Sequence, residues 1–221
     1  SLTKGAINAR INSSVLSLYD GNRLKAPMMG GKDTDWSSFD KNLGKELKAA
    51  KNVKVLTNSI ISPSANKLIN EFANPVVEGE EAPASNVVSY DAISYSGILE
   101  ANNESFGKMA IPSYNFEKAK TIVSVGADFM GNWLDTQMYI TDYAETRKPE
   151  NGWMSKHFQF EASMSLSGSN ADVRTPVKPS EYGAILTGLL KAVGGNVSVV
   201  KTNYDLQIAA AAKALKAAKG E

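Results

Sequence analysis

Two short segments of this 221-residue chain hold the residue types that could do chemistry. Gly126, Ala127 and Asp128 follow a β-branched run, Thr121-Ile122-Val123-Ser124-Val125, with Gly131 and Trp133 just beyond. Glu161, Ser163, Ser165 and Asn170 follow the alternation Phe158-Gln159-Phe160. Glycines directly after a parallel strand let the backbone approach a phosphate, and nearby donors would meet its charge. Nucleotide binding is the chemistry that such residue types could do. Against it, the spacing is not G-x-G-x-x-G, and Asp128 sets a negative charge where a pyrophosphate would lie. A structural reading stands beside the functional one. In it Phe129, Met130 and Trp133 pack a loop under a neighbouring helix, and the polar residues of 165–170 bond their own backbone.

Other candidates are thinner. The single histidine, His157, opens a predicted strand and is expected to be structural, so no catalytic triad can be built on it. Glu78, Glu80 and Glu81 sit in a Gly/Pro-containing stretch that reads as a solvated insertion rather than a metal site. Lys213, Lys216 and Lys219 are spaced to form one solvated helix face. Arg174 is expected to pair with Asp172 or with a carboxylate of a partner. Asn12-Ser13-Ser14 and Asn196-Val197-Ser198 match the glycosylation tripeptide, a match common by chance. With no cysteine in the chain, it holds no disulfide, thiolate zinc site, cysteine nucleophile or iron-sulfur cluster ligated by its own thiolates.

The elements that must position these residues read as alternating strands and helices. Thr121–Val125, a helix over 135–147 and a strand at 158–160 form a βαβ unit, whose strands are parallel and whose ligands would sit at their carboxyl ends. The pattern begins earlier, with a strand at 53–56 and a helix capped by Ser62-Pro63 that carries Ala65, Leu68, Ile69 and Phe72 as one apolar stripe. A strand at 86–90 and a helix over 92–102 follow. After Pro179-Ser180 a helix with Tyr182, Ile185, Leu186, Leu189 and Leu190 is expected, then a strand at 197–200 and an Ala-rich helix over 206–218. The fold class predicted is α/β, a Rossmann-like doubly wound, mainly parallel sheet with helices on both faces. It occupies residues 51–221 behind an N-terminal extension and helical region at 1–50.

Composition sets wider limits. The chain is long enough to bury a full core, and its net charge of +1 with no basic stripe argues against nucleic acid as a partner. No apolar run approaches the length of a direct membrane span, and no signal peptide is recognisable. A start without methionine and an end in Lys219-Gly220-Glu221 are those expected of a portion of a longer chain.

Several motifs carry a resemblance. Asp20-Gly21-Asn22-Arg23-Leu24-Lys25-Ala26-Pro27, followed by Asp35-Trp36-Ser37-Ser38-Phe39-Asp40, resembles the Asp-Arg-Leu-x-x-Pro stretch and following helix start of molybdopterin oxidoreductases. Ala127-Asp128-Phe129 stands where that family has a residue, Asn and Pro. Glu161-Ala162-Ser163 stands at its Asp-Pro-Arg motif, and residues 170–179 resemble the Ala-Asp and Pro-x-Arg-Pro stretch that follows. Within the superfamily, Ser124 to Trp133 and Met164 to Arg174 are most similar to the molybdopterin-like portion of the large iron-sulfur subunit of bacterial alternative complex III, a quinol:cytochrome c oxidoreductase. The likeness covers most of residues 11–193.

The resemblance implies a non-catalytic scaffold in a respiratory electron-transfer complex. It implies no cofactor in this segment, with iron-sulfur clusters elsewhere in the parent chain. The implied partners are a ferredoxin-like part of the same chain, a multihaem cytochrome and quinol-binding membrane subunits. The implied location is the periplasmic side of the bacterial inner membrane, reached by the twin-arginine route and held through partners. Gly126, Asp128, Gly131, Trp133, Glu161, Ser163, Ser165 and Asn170 would line a vestigial pocket. The alternative is a fragment of an active enzyme holding molybdopterin guanine dinucleotide around the same residues, with serine as the side chain left to ligate molybdenum. A third, separate possibility is a stand-alone nucleotide-binding module.

Overall fold

The computed structural model describes residues 5–74 and 86–220. They form two compact units, one spanning Leu16–Ile111 and the other comprising the remaining described residues on either side of it. The division thus falls after Val15 and Ile111, and the expected boundary at residue 50 lies inside one unit. Glu78, Glu80 and Glu81 lie outside the described residues.

The chain opens with a short helix α1 (Ala9–Ser13), capped by Asn8, whose Oδ1 accepts from Ile11 N at 2.8 Å. In the Leu16–Ile111 unit, β1 (Met28–Met29) and β2 (Lys32–Asp33) pair antiparallel through Gly30-Gly31. Both glycines have positive φ, as a two-residue hairpin turn requires. Helix α2 (Trp36–Ala49) starts at Asp35, whose carboxylate accepts from Ser38 N at 2.9 Å. Strand β3 (Val55–Thr57), helix α3 (Pro63–Ala73) and strand β4 (Val87–Ser89) form a parallel pair joined by a crossover helix, with Leu56 beside Val88. Ser62 caps α3 as the sequence suggests. The inward stripe, however, is Ala65, Ile69 and Ala73, whereas Leu68 and Phe72 are 67% and 52% exposed. Helix α4 (Ser96–Phe106) starts four residues later than expected. Asp91 is held by Ser59, and Ser94 Oγ accepts from Ser96 N, so the chain turns before the helix can begin. It ends at Gly107, which is left-handed.

In the other unit, β5 (Thr121–Val125), β6 (Lys156–Glu161) and β7 (Val173–Pro176) form a parallel sheet in that order. Helix α5 (Thr136–Glu145) joins the first two strands, and a four-residue helix α6 (Leu166–Ser169) sits between the last two. The residues read as one Ser/Asn-rich loop thus contain a helical turn and lead to a further strand. Helices α7 (Tyr182–Ala192) and α8 (Asp205–Ala217) follow. The expected strand at 197–200 is absent. Val199 and Val200 lie instead along the groove between α7 and α8, because β-branched residues make a strand only where an edge is offered to them.

β6 is central and covered on both faces, so both sets of its alternating side chains are buried. Phe158 and Phe160 point into a core with Val177, Ile185, Leu189, Ile208 and Ala211. The opposite face meets Phe116, Ile122, Phe129, Tyr139 and Tyr143, with Phe116 and Phe129 stacked at 4.6 Å. The chain is therefore mixed α/β with small parallel sheets, and β3–β4 and β5–β7 are separate sheets. Among the described residues no helix is long and apolar enough to cross a membrane.

Full burial of an aliphatic or aromatic side chain contributes about 1.5–3 kcal/mol. Ile185 is wholly buried, while its neighbour Leu186 is 52% exposed. Ile185→Ala is expected to lower unfolding free energy by about 2–5 kcal/mol, and Leu186→Ala by less than about 1 kcal/mol. Urea denaturation checks the pair, and equal losses would contradict this orientation of α7.

Candidate functional site

The carboxyl ends of β5 and β6 bring together Gly126, Asp128, Gly131, Glu161 and Ser165. Gly126 has φ +68, and its N–H donates to Phe160 O at 2.8 Å. A Cβ there would lie 2.5 Å from Tyr182 Cε2. The Tyr182 ring stands against the turn after β5, and its hydroxyl oxygen accepts from Ala162 N at 3.2 Å, just past the end of β6. The space just past the end of β5 is thus occupied by a side chain from α7.

Asp128 folds back on its own loop. Its backbone carbonyl accepts from the amides of Gly131, Asn132 and Trp133, and its Oδ1 accepts from Ser167 N at 3.0 Å and Ser167 Oγ at 2.8 Å. Ser167 Oγ also accepts from Met130 N at 2.9 Å. Gly131 is glycine because a Cβ would fall 1.9 Å from Asp128 Oδ2.

Glu161 ends the central strand at 4% exposure. Ser165 donates to it through both N, at 3.1 Å, and Oγ, while Arg174 Nε reaches Oε1 at 2.5 Å and Gln159 Nε2 donates to Oε2 at 3.3 Å. Burial pushes the Glu161 pKa up, but the Ser165 and Arg174 hydrogen bonds together hold it below the usual carboxylate value. Ser165 Oγ accepts from Gly168 N at 3.0 Å, capping α6. Arg174 thus pairs with Glu161 and not with Asp172. Asp172 instead takes a two-pronged bond from Arg147, at 2.8 and 2.9 Å. That contact, with His157 N donating at 2.7 Å, holds the Asp172 pKa down.

The remaining sequence candidates lie apart. Trp133 packs in an aromatic cluster with Tyr114 and Tyr139. Asn170 closes the far end of α6, with its Nδ2 donating to Leu166 O. Ser163 sits in an exposed turn. Lys213, Lys216 and Lys219 are exposed as expected.

Gln159 was outside the sequence reading, as were Ser167 and the Tyr182 contact. One signal was available: His157, Gln159 and Glu161 recur at i, i+2 and i+4 around Phe158 and Phe160, placing three polar groups on one buried face. They form a ladder. Gln159 Nε2 donates to Glu161 and to Ala127 O, so its Oε1 faces His157 Nε2 at 3.1 Å and requires a proton there. The Tyr143 hydroxyl, with one proton, lies between two acceptors, His157 Nδ1 at 3.3 Å and Asn170 O at 2.9 Å. Burial lowers the His157 pKa below its ordinary value. Among the described residues no group of three His, Asp or Glu side chains converges as a metal site would. Chemically the cluster is a set of charges and donors paired with one another, each carboxylate engaged by groups of its own chain.

No protein-family model matches the chain, and no curated protein matches it.

Two outcomes follow from this geometry. The depressed His157 pKa contributes stability that is complete above the unfolded value of about 6.5 and declines as pH falls below it. Because His157 is the one histidine, long-range proton–nitrogen NMR reads it without ambiguity. The Nε2–H form is expected as the neutral tautomer, with a titration midpoint below the ordinary histidine value, and a midpoint at or above that value would contradict the ladder. At Gly168 a Cβ would fall 1.8 Å from Glu161 Oε1, which Arg174 holds in place. Gly168→Ala is expected to destabilise by about 1–3 kcal/mol in urea denaturation, and a neutral effect would show that Glu161 is free to move.

Proposed function

We propose that the chain is a cofactor-free scaffold, a molybdopterin-oxidoreductase-like portion of the large iron-sulfur subunit of a quinol-oxidising respiratory complex of the alternative complex III type. The observation that carries this reading is the closed charge cluster at the ends of β5 and β6. Its two motifs, around residues 124–133 and 164–174, are those in which the resemblance is strongest. A pterin dinucleotide needs open donors for its phosphates. Here the donors suited to that task, Ser167 N and Oγ, Ser165 N and Oγ and Arg174 Nε, are taken up by Asp128 and Glu161. A phosphate would meet two carboxylates and the Tyr182 ring, so these residues do not fit that cofactor.

The layout we assign is Rossmann-like and doubly wound. It is supported by the parallel order β5-β6-β7 with apolar cores on both faces and by the parallel β3–β4 pair. In this role the chain supports a ferredoxin-like part of the same protein, which carries the iron-sulfur clusters. It assembles with a multihaem cytochrome and quinol-binding membrane subunits on the periplasmic side of the inner membrane, after export by the twin-arginine route.

The test is elemental and pterin analysis of the intact parent protein purified from native membranes in detergent, with mass spectrometry of what co-purifies. No molybdenum or pterin above background, together with multihaem cytochrome and polytopic membrane subunits, is expected. Stoichiometric molybdenum in a complex without those subunits would overturn the reading in favour of an active molybdopterin enzyme.

A further inference from the structure

Among the described residues of the β5–β7 unit, one side of α8 is left uncovered. A groove of about 540 Å³ runs beside α8 over the starts of β6 and β7, with Phe158 and Val173 as its floor. Its wall is Leu206, Ala210, Lys213, Ala214 and Ala217. These fall at i, i+4, i+7, i+8 and i+11, one continuous face of the helix, about 17 Å long at 1.5 Å per residue. Leu206 is 84% exposed on this face. Three of the five are alanines, which lets a second helix approach to the near end of the usual range of about 8–10 Å between axes.

The charges on the groove are of one sign. Lys156 lies with Nζ 5.4 Å from the Phe158 ring centre, and Lys213 projects from the wall. Among the described residues neither lysine is in an ion pair. Gln207 also lines the groove, and its Oε1 is buried without a hydrogen-bond donor among the described residues.

We propose that this groove docks an acidic amphipathic helix of a partner protein. The apolar stripe of that helix lies on Val173, Leu206 and the alanine face of α8, above the buried Phe158, and its carboxylates meet Lys156 and Lys213. Small residues on one side and a flat apolar floor on the other suit a helix laid in a groove. Charge selects against the simplest competitor, since a second copy of α8 pairing with the first would bring like-charged lysines together. The surface is independent of the scaffold assignment.

The test uses the full chain and two fluorescein-labelled synthetic helical peptides of about three heptads, with leucine at the a and d positions. One carries glutamate at the flanking positions and the other carries lysine there. Fluorescence anisotropy is expected to show the glutamate peptide binding at least about tenfold more tightly. In the Lys156→Glu/Lys213→Glu double variant the preference should reverse, and Ala210→Arg, which blocks the groove, should abolish both. All three positions are exposed, and circular dichroism checks that the variants remain folded. Equal binding of the two peptides, no binding of either, or a preference unchanged in the double variant overturns the proposal. So does light scattering that shows a dimer lost in Ala210→Arg, which would give the groove to a second copy. Oleate binding that is lost in Ala210→Arg while neither peptide binds would give it to a lipid amphiphile and overturn the proposal equally.

Discussion

A buried carboxylate must find its partners inside the protein, and in the β5–β7 unit that constraint falls on Glu161. An ionised group removed from water without partners costs several kcal/mol, far more than one exposed ion pair returns. Glu161 meets the requirement with Ser165, Arg174 and Gln159, and each partner fixes an element. Ser165 sets where α6 begins. Arg174 holds β7 to the central strand beyond its backbone ladder. Gln159, once its amide donates toward Glu161, presents oxygen to His157 and so selects the imidazole tautomer, which in turn faces Tyr143 of α5. The position of one charge thus reaches two helices and two strands through directional bonds.

The same residue types can describe an anion site that is open or one that is closed. Glycine after a strand, hydroxyls at a helix start and a nearby arginine are what a phosphate needs, and they are also what an internal carboxylate needs. The difference lies in which atoms occupy the space above each glycine. Tyr182 occupies it at Gly126, Asp128 at Gly131 and Glu161 at Gly168. Each glycine is explained by close approach of the protein to itself. Two unit charges 4 Å apart repel by about 4 kcal/mol at an effective dielectric constant of about 20, so a phosphate beside two retained carboxylates is strongly disfavoured.

Much of the β5–β7 unit was legible from local pattern. The strand Thr121–Val125, the helix that follows it, the return through Phe158 and Phe160 and the last two helices stand near their expected places, because period and capping signals agree there. What failed depended on tertiary context. Val197 to Val200 has strand composition but no edge beside it. β7 was hidden because residues 173–176, Val-Arg-Thr-Pro, alternate too briefly and end in proline. The site was half legible. Asp128 and Glu161 stood out by type and place, but the pairing of Arg174 with Glu161 instead of Asp172 follows from register, which sets Glu161 beside Pro176 and carries Arg174 level with Gln159.

The Leu16–Ile111 unit obeys a different balance. Parallel strands are normally covered on both faces, since their crossover helices place apolar side chains on each. Here α3 packs against β4 from one side, and Asn86 Nδ2 ties the strand to Ala73 O at the helix end. Leu56 and Val88, side by side across the strands, are nevertheless 73% and 46% exposed. Within this unit Ala73 is the one described residue fully buried. A sheet held by three-residue strands and one helix buries little apolar area and gains little from it. Among the described residues of this unit, the paired Leu56 and Val88 mark the sheet face that α3 leaves uncovered.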